Sequence, residues 1–204
     1  MTTDQGASEA PLLNVANMLT LLRLALVPVF VALFMVGDGH RTDWRLGAAA
    51  VFAIAALTDR FDGDIARRRG LVTKFGMIAD PIADKTLMGG ALICLSLLGD
   101  LSWWVTIVIA VRELGVTLLR FWVLRHGVIA ASRGGKAKTL VQTLAIGAYV
   151  LPLTALLPAP MIVESTRWWL MAIAVALTVV TGFDYVLRAV RLRAQGLAAA
   201  RAVT

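Results

Sequence analysis

Six apolar stretches, set apart by short polar or basic segments, leave this chain few folds to choose from. Backbone amides in hydrocarbon have no water to bond. A segment of ~20 apolar residues must therefore satisfy them within itself, as a helix. Hydrophobic residues make up 59% of the 204, against ~45–50% in soluble domains, and mean hydropathy is +0.78. The pattern predicts an all-α membrane protein of one domain, with six transmembrane helices.

Residues 1–10 are small and polar and read as a flexible N-terminal segment, 11–190 as the six-helix domain, and 191–204 as a basic cytoplasmic tail. The first span enters near Pro11 and runs to about Val36, with Asn14, Asn17, Thr20 and Arg23 recurring every third residue as one polar edge. A polar loop, Gly37 to Arg45, leads to a second span from about Leu46. The basic stretch Arg67 to Lys74 interrupts it, and the third span runs from Gly76 to about Leu98. After the turn Gly99-Asp100, the pair Trp103-Trp104 anchors a fourth span that continues to about Leu124. A basic connection, Arg125 to Lys138, precedes the fifth span, Thr139 to about Leu157, which ends in Pro158 and Pro160. The sixth begins at Trp168-Trp169 and ends near Leu187.

The formal charge of +7 comes from 20 Lys and Arg against 13 Asp and Glu. Because the cations sit between apolar runs, positive-inside topology explains them better than a nucleic-acid partner. The loops after spans two and four and the C-terminal tail hold most of them, whereas the turn after span three has none and that after span five only Arg167. Arg41 and Arg45 weaken the asymmetry without reversing it. An integral, multi-pass protein of the inner (cytoplasmic) membrane is expected, with both termini in the cytoplasm. Residues 1–13 hold Asp4 and Glu9 but no Lys or Arg, so no signal peptide is expected. The lone Cys94 has no partner for an internal disulfide. No internal repeat is visible, which leaves a repeat-built transporter without support.

Against this background the segment Asp59 to Lys85 stands out, since carboxylates at bilayer depth are costly and mark function. On a helix, Asp59, Asp62, Gly63, Ala66 and Arg67 fall within an arc of about 140°. Gly76, Asp80 and Asp84 repeat every four residues along a narrower stripe. Two helices meeting along these stripes would pool four carboxylates, with glycines where side chains would obstruct a ligand. Such oxygen donors, without His or Cys, select Mg²⁺, Mn²⁺ or Ca²⁺ over zinc. Four of them can hold two ions ~3.5–4 Å apart, an arrangement suited to a phosphoryl centre. For a single Asp, a helix cap or a salt bridge is an equally good reading; for four on two facing stripes it is not.

The string D-x2-D-G-x2-A-R-x8-G-x3-D-x3-D is filled at every fixed position by Asp59, Asp62, Gly63, Ala66, Arg67, Gly76, Asp80 and Asp84. In this the chain resembles the CDP-alcohol phosphotransferases. Asn14-x2-Asn17-x-Leu19-Thr20-x2-Arg23 with Pro28, Asp80-Pro81-x-Ala83-Asp84-Lys85, Arg112-Glu113 and Gly135-Lys136-x-Lys138-Thr139-x2-Gln142 resemble the branch that makes phosphatidylglycerol phosphate. The resemblance implies a six-helix membrane enzyme with a cytoplasm-facing active-site cavity, commonly homodimeric. Such an enzyme moves a phosphatidyl group from CDP-diacylglycerol to an alcohol. It further implies that Asp59, Asp62, Asp80 and Asp84 hold two divalent ions, Mg²⁺ or Mn²⁺. Gly63, Ala66, Arg67 and Gly76 would border the nucleotide, and Asp84 would be the catalytic base.

If the acceptor is glycerol 3-phosphate, its dianion needs cations, and Arg23, Arg112, Lys136 and Lys138 are the candidates. Ordinary positive-inside charge explains the two lysines about as well. Adjacent helical residues point ~100° apart, so no direct Arg112–Glu113 pair is expected. Asp184 is a possible brace for Arg23, Lys85 or Arg112. Phosphatidylglycerol or inositol phosphate are alternative acceptors, and a divalent-cation transporter is the rival from another class.

Overall fold

The computed structural model describes residues 15–69, 74–123 and 133–202, with side-chain surroundings for residues 17–58, 82–119, 122 and 134–194. All described elements are helices: α1 (Val15–Met35), α2 (Thr42–Arg69), α3 (Lys74–Leu97), α4 (Trp103–Val123), α5 (Arg133–Val150), the single turn α6 (Leu153–Leu156) and α7 (Pro160–Ala202). They form two compact units, Met1–Cys94 and Leu95–Thr204.

In the first unit α1 packs along α2. Phe30 and Phe34 stack with ring centroids 5.4 Å apart, and Phe52 of α2 lies 5.9 Å from Phe30. Ala48 and Ala55 are fully buried, so small residues on α2 leave room for these rings. Arg45, expected in the outer loop, lies inside α2 and is buried with its guanidinium 4.8 Å from the Phe34 ring centroid. Arg41 forks onto Asp43, with Nη2 2.7 Å and Nε 3.3 Å from its carboxylate oxygens. That hydrogen bonding holds the Asp43 carboxyl below the usual range. Both outer-loop cations are therefore engaged locally, and the loop shortens to the few residues between α1 and α2. Gly37, Asp38 and Gly39 all have positive φ, and the reversal is closed by bonds from Gly39 N to Val36 O and from His40 N to Gly37 O. α3 approaches α1 at Gly90, where an added Cβ would meet Val27 and Val31 at 3.9 Å.

In the second unit α7 packs against α4, α5 and α6. Gly99, at φ 79°, caps the last turn of α3 while Asp100 and Leu101 N–H groups return to Leu95 O. Ser96 and Thr106 share a buried 2.7 Å hydrogen bond across this turn. Helix α5 ends earlier than expected. Pro152 has no N–H to continue the ladder, so the chain breaks after Val150 and resumes as α6. Helix α7 begins eight residues earlier than expected, because Pro160 suits the first helical position. Its 43 residues are about 65 Å long. Beyond Leu187 it continues as helix to Ala202, and Arg193 lies 4.1 Å over the Trp122 ring of α4.

One end of this unit carries a cavity of about 510 Å³ whose lining includes Asp100, Trp104, Tyr149, Glu164 and Trp168. Both Trp pairs thus lie at one level, as an interfacial belt requires. Arg167, expected as a loop cation, sits within α7, bonds Glu164 Oε1 at 2.8 Å and stacks 4.9 Å from the Tyr149 ring.

The surface is inverted relative to a water-soluble protein. Val111, Leu118 and Phe183 are 65%, 69% and 70% exposed, whereas Asn17, Thr20, Arg23, Thr178, Lys138 and Gln142 are buried. Among the described residues, Asn17–Met35 and Pro160–Ala194 are long and apolar enough to cross a bilayer, with mean hydropathies of 2.3 and 2.0.

Candidate active site

Helix α2 runs unbroken through Asp59, Asp62, Gly63, Ala66 and Arg67, and α3 through Gly76, Asp80 and Asp84. The spacings of three and four are therefore helical, each about one turn. The side chains of residues 59–81 lie outside the described residues, which covers Asp59, Asp62, Gly63, Ala66, Arg67, Gly76 and Asp80. Asp84 is described and is half-buried. Its neighbour Ala83 and, beyond it, Leu87 are packed inside the unit, while Ile82 is 53% exposed. The carboxylate thus stands at the rim of the packed face.

Three contacts set the levels along the helices. Phe30 meets Phe52 and Phe34 meets Arg45, so α1 and α2 run antiparallel; Gly90 beside Val27 and Val31 sets the level of α3. The edge Asn17, Thr20 and Arg23, expected to be polar, is buried. The donor chemistry fits hard divalent cations: four carboxylates at helical spacing, one of them seen at a partly open rim.

A second group of charges joins three helices of the other unit. Glu113 Oε1 accepts from Arg112 Nη1 at 3.0 Å and from Lys138 Nζ of α5. Arg112 Nη2 also donates to Thr181 Oγ1 of α7 at 3.0 Å. The direct Arg112–Glu113 pair corrects the expectation drawn from side-chain direction. The long Arg side chain bends around the helix, with Thr181 holding its other end. Gly182 makes this possible, since a Cβ there would come within 3.0 Å of Arg112 Cγ. Asp184 pairs with Arg188 one turn along α7, at 2.9 Å, and not with the residues considered for it.

Of the four candidate acceptor cations, Arg112 and Lys138 meet on Glu113, Arg23 is buried in the first unit, and Lys136 is exposed. Sequence reasoning missed Thr181 and Gly182. Their only signal is a small polar residue followed by glycine in an otherwise apolar span.

The family model for CDP-alcohol phosphatidyltransferase matches residues 13–180. The chain belongs to this family. Among its relatives, a probable phosphatidylglycerophosphate synthase of Mycobacterium tuberculosis is 56% identical over 189 residues, 93% of this chain and 88% of that one. The CDP-diacylglycerol–glycerol-3-phosphate 3-phosphatidyltransferase of Bacillus subtilis is 38% identical, over 84% of this chain and 93% of its own. The Escherichia coli protein of that name is 39% identical over 65% and 74%. Membership makes the protein a membrane-embedded enzyme of a family that generally uses divalent metal ions. The transporter alternative falls with it.

Proposed function

We propose that the enzyme transfers the phosphatidyl group of CDP-diacylglycerol to glycerol 3-phosphate, giving phosphatidylglycerol phosphate and CMP in phospholipid biosynthesis. The observation that carries this reading is the 56% identity, over nearly the whole chain, to a relative described as making that product. An acceptor hydroxyl oxygen bonds to the donor phosphorus next to the diacylglycerol, and the bond from that phosphorus to the bridging oxygen breaks, so CMP leaves.

Asp59, Asp62, Asp80 and Asp84 would hold two divalent ions, Mg²⁺ or Mn²⁺, which would supply positive charge to neutralise the diphosphate and the leaving oxygen. Asp84, at its partly open rim, takes the proton of the attacking hydroxyl. Arg67 grips the diphosphate, and Gly63, Ala66 and Gly76 leave room for the nucleotide. Arg112 and Lys138, with Arg23 and Lys136, receive the acceptor phosphate. Transfer is a single in-line displacement. A phosphatidyl-enzyme adduct trapped by denaturing quench without acceptor would refute that step.

The six long helices act as six spans in the inner membrane, and the enzyme works as a homodimer among membrane lipids. Both termini and the catalytic cavity face the cytoplasm. The segregation within the second unit, Trp pairs at one end and Lys136, Lys138, Arg188 and Arg193 towards the other, supports this orientation. The test is an acceptor panel with labelled CDP-diacylglycerol and purified enzyme. Metal-dependent CMP release with glycerol 3-phosphate is expected, and none with phosphatidylglycerol or inositol phosphate. No turnover with glycerol 3-phosphate sinks the reading.

A further inference from the structure

Glu113 is an acid within a span for which the proposed reaction has no use. One of its oxygens accepts from cations on two helices, Arg112 on α4 and Lys138 on α5. The three differ in freedom. The side chains of Lys138 and Arg112 are 4% and 16% exposed, and that of Glu113 is 27% exposed. Arg112 is pinned between Thr181 Oγ1 and the bare backbone of Gly182, so it cannot retreat. Glu113 is the most exposed of the three.

The surroundings are polar beyond what the ion pairs use. Arg112 Nε, Gln142 Oε1 and Tyr185 OH are buried and find no hydrogen-bond partner among the described residues. Gln142 lies one turn from Lys138 on α5, and Tyr185 one turn from Thr181 on α7. Buried polar groups are normally bonded, because leaving them unpaired is costly. Arg112 Nε lies in the ion cluster itself and points to a ligand that bonds it, while Gln142 and Tyr185 flank the cluster a turn away on opposite sides. Arg112 and Lys138 carry two positive charges, which a phosphate monoester dianion matches once the carboxylate withdraws.

We propose that Glu113 is the resident anion of the acceptor-phosphate subsite, a positioning residue that holds Arg112 and Lys138 ready and yields their hydrogen bonds to the incoming phosphate. This rests on the reading that Arg112 and Lys138 receive the acceptor. Glu113 then competes with the acceptor, offsets the charge of two buried cations in its absence, and disfavours acceptors too weakly charged to displace it.

The test uses the full-length enzyme in lipid–detergent micelles, with KM for each substrate and the thermal midpoint with and without glycerol 3-phosphate. In Glu113→Gln the competitor is gone, so KM for glycerol 3-phosphate falls about tenfold, while KM for CDP-diacylglycerol stays put. Its midpoint without acceptor is lower than in the parent, and glycerol 3-phosphate raises it further than it raises the parent's. An unchanged or increased KM for glycerol 3-phosphate, with no larger ligand-induced rise, overturns the proposal and leaves Glu113 a bolt between α4 and α5. Should Glu113→Gln fail to accumulate folded, Glu113→Asp carries the test. Its shorter carboxylate holds both cations less well, so KM falls in the same direction, and an unchanged or raised KM overturns the proposal. Lys138→Met separates the two levels of argument: if it leaves KM for glycerol 3-phosphate unaltered, the acceptor reading itself is what has failed.

Discussion

Gly182→Ala sets two effects of similar size against each other. In the interior of a helix, alanine is favoured over glycine by about 0.8–1 kcal/mol. Position 182 is helical and has negative φ, so the backbone accepts the change. The new methyl, however, would stand 3.0 Å from Arg112 Cγ and 3.6 Å from its Nε. Contact at that distance forces Arg112 to move by a few tenths of an ångström, and the side chain has little slack. Its guanidinium is held at 3.0 Å by both Thr181 and Glu113. Losing or stretching one hydrogen bond to a charged group costs about 1.5–3 kcal/mol. The net effect on stability is therefore a loss of roughly 1 kcal/mol, small because the propensity gain offsets much of it. The effect on the acceptor is not offset, since helix propensity does nothing for phosphate binding. A guanidinium displaced from its bonds raises KM for glycerol 3-phosphate about tenfold, the equivalent of ~1.4 kcal/mol, and leaves KM for CDP-diacylglycerol unchanged. The assay is CMP release against glycerol 3-phosphate concentration, run beside a thermal melt of the same preparation. A variant that is more stable by the full propensity gain, with an unaltered KM, would show that Arg112 does not depend on the close approach of α7.

Asp84→Asn removes the proposed base and a metal-ligand charge, so CMP release should fall at least a thousandfold with an unaltered circular-dichroism spectrum; a variant retaining a tenth of the activity refutes the assignment. Phe34→Ala opens a cavity in the α1–α2 core and strips Arg45 of its ring, and should cost about 3–5 kcal/mol; a midpoint within a degree or two of the parent would show that the pair is not held by these rings. Asp43→Asn removes the Arg41 fork. The folded carboxyl is depressed, so the contribution is present above the unfolded value of ~3.9 and is lost as pH falls through the folded one. The variant's midpoint should lie slightly below the parent's at pH 7, and the difference should vanish in acid. A difference that grows in acid is the contrary result.

Several of these features were legible before any coordinates. The helices could be placed because hydrocarbon imposes one length and one backbone solution on any apolar run. The helical placement of the acidic motif could be read because its spacings of three and four mean one thing on a helix, and α2 and α3 do run through it without a break. Element ends were less legible. Pro158 was taken as the stop of the fifth span, yet Pro152 does the breaking, since the first proline that lacks a needed N–H ends the ladder. Aromatic anchors likewise mark the height of an interface and not a helix start, which is why α7 begins at Pro160.

Partnership between charges is where local reasoning failed. From the sequence, Arg45 and Arg167 count as loop cations and Arg112 and Glu113 as neighbours pointing apart. The folded chain lays Arg45 on Phe34, Arg167 on Tyr149, and Arg112 against Glu113. The hydrophobic period of a helix depends on the residues along it, and a chain carries that information locally. Which cation meets which acid depends on what the neighbouring helices present at that level: Lys138 from α5, Thr181 and the bare Gly182 from α7. Lys138 and Thr181 lie 25 and 69 residues from the groups they hold. No local pattern encodes that meeting; the packing of α7 against α4 and α5 does.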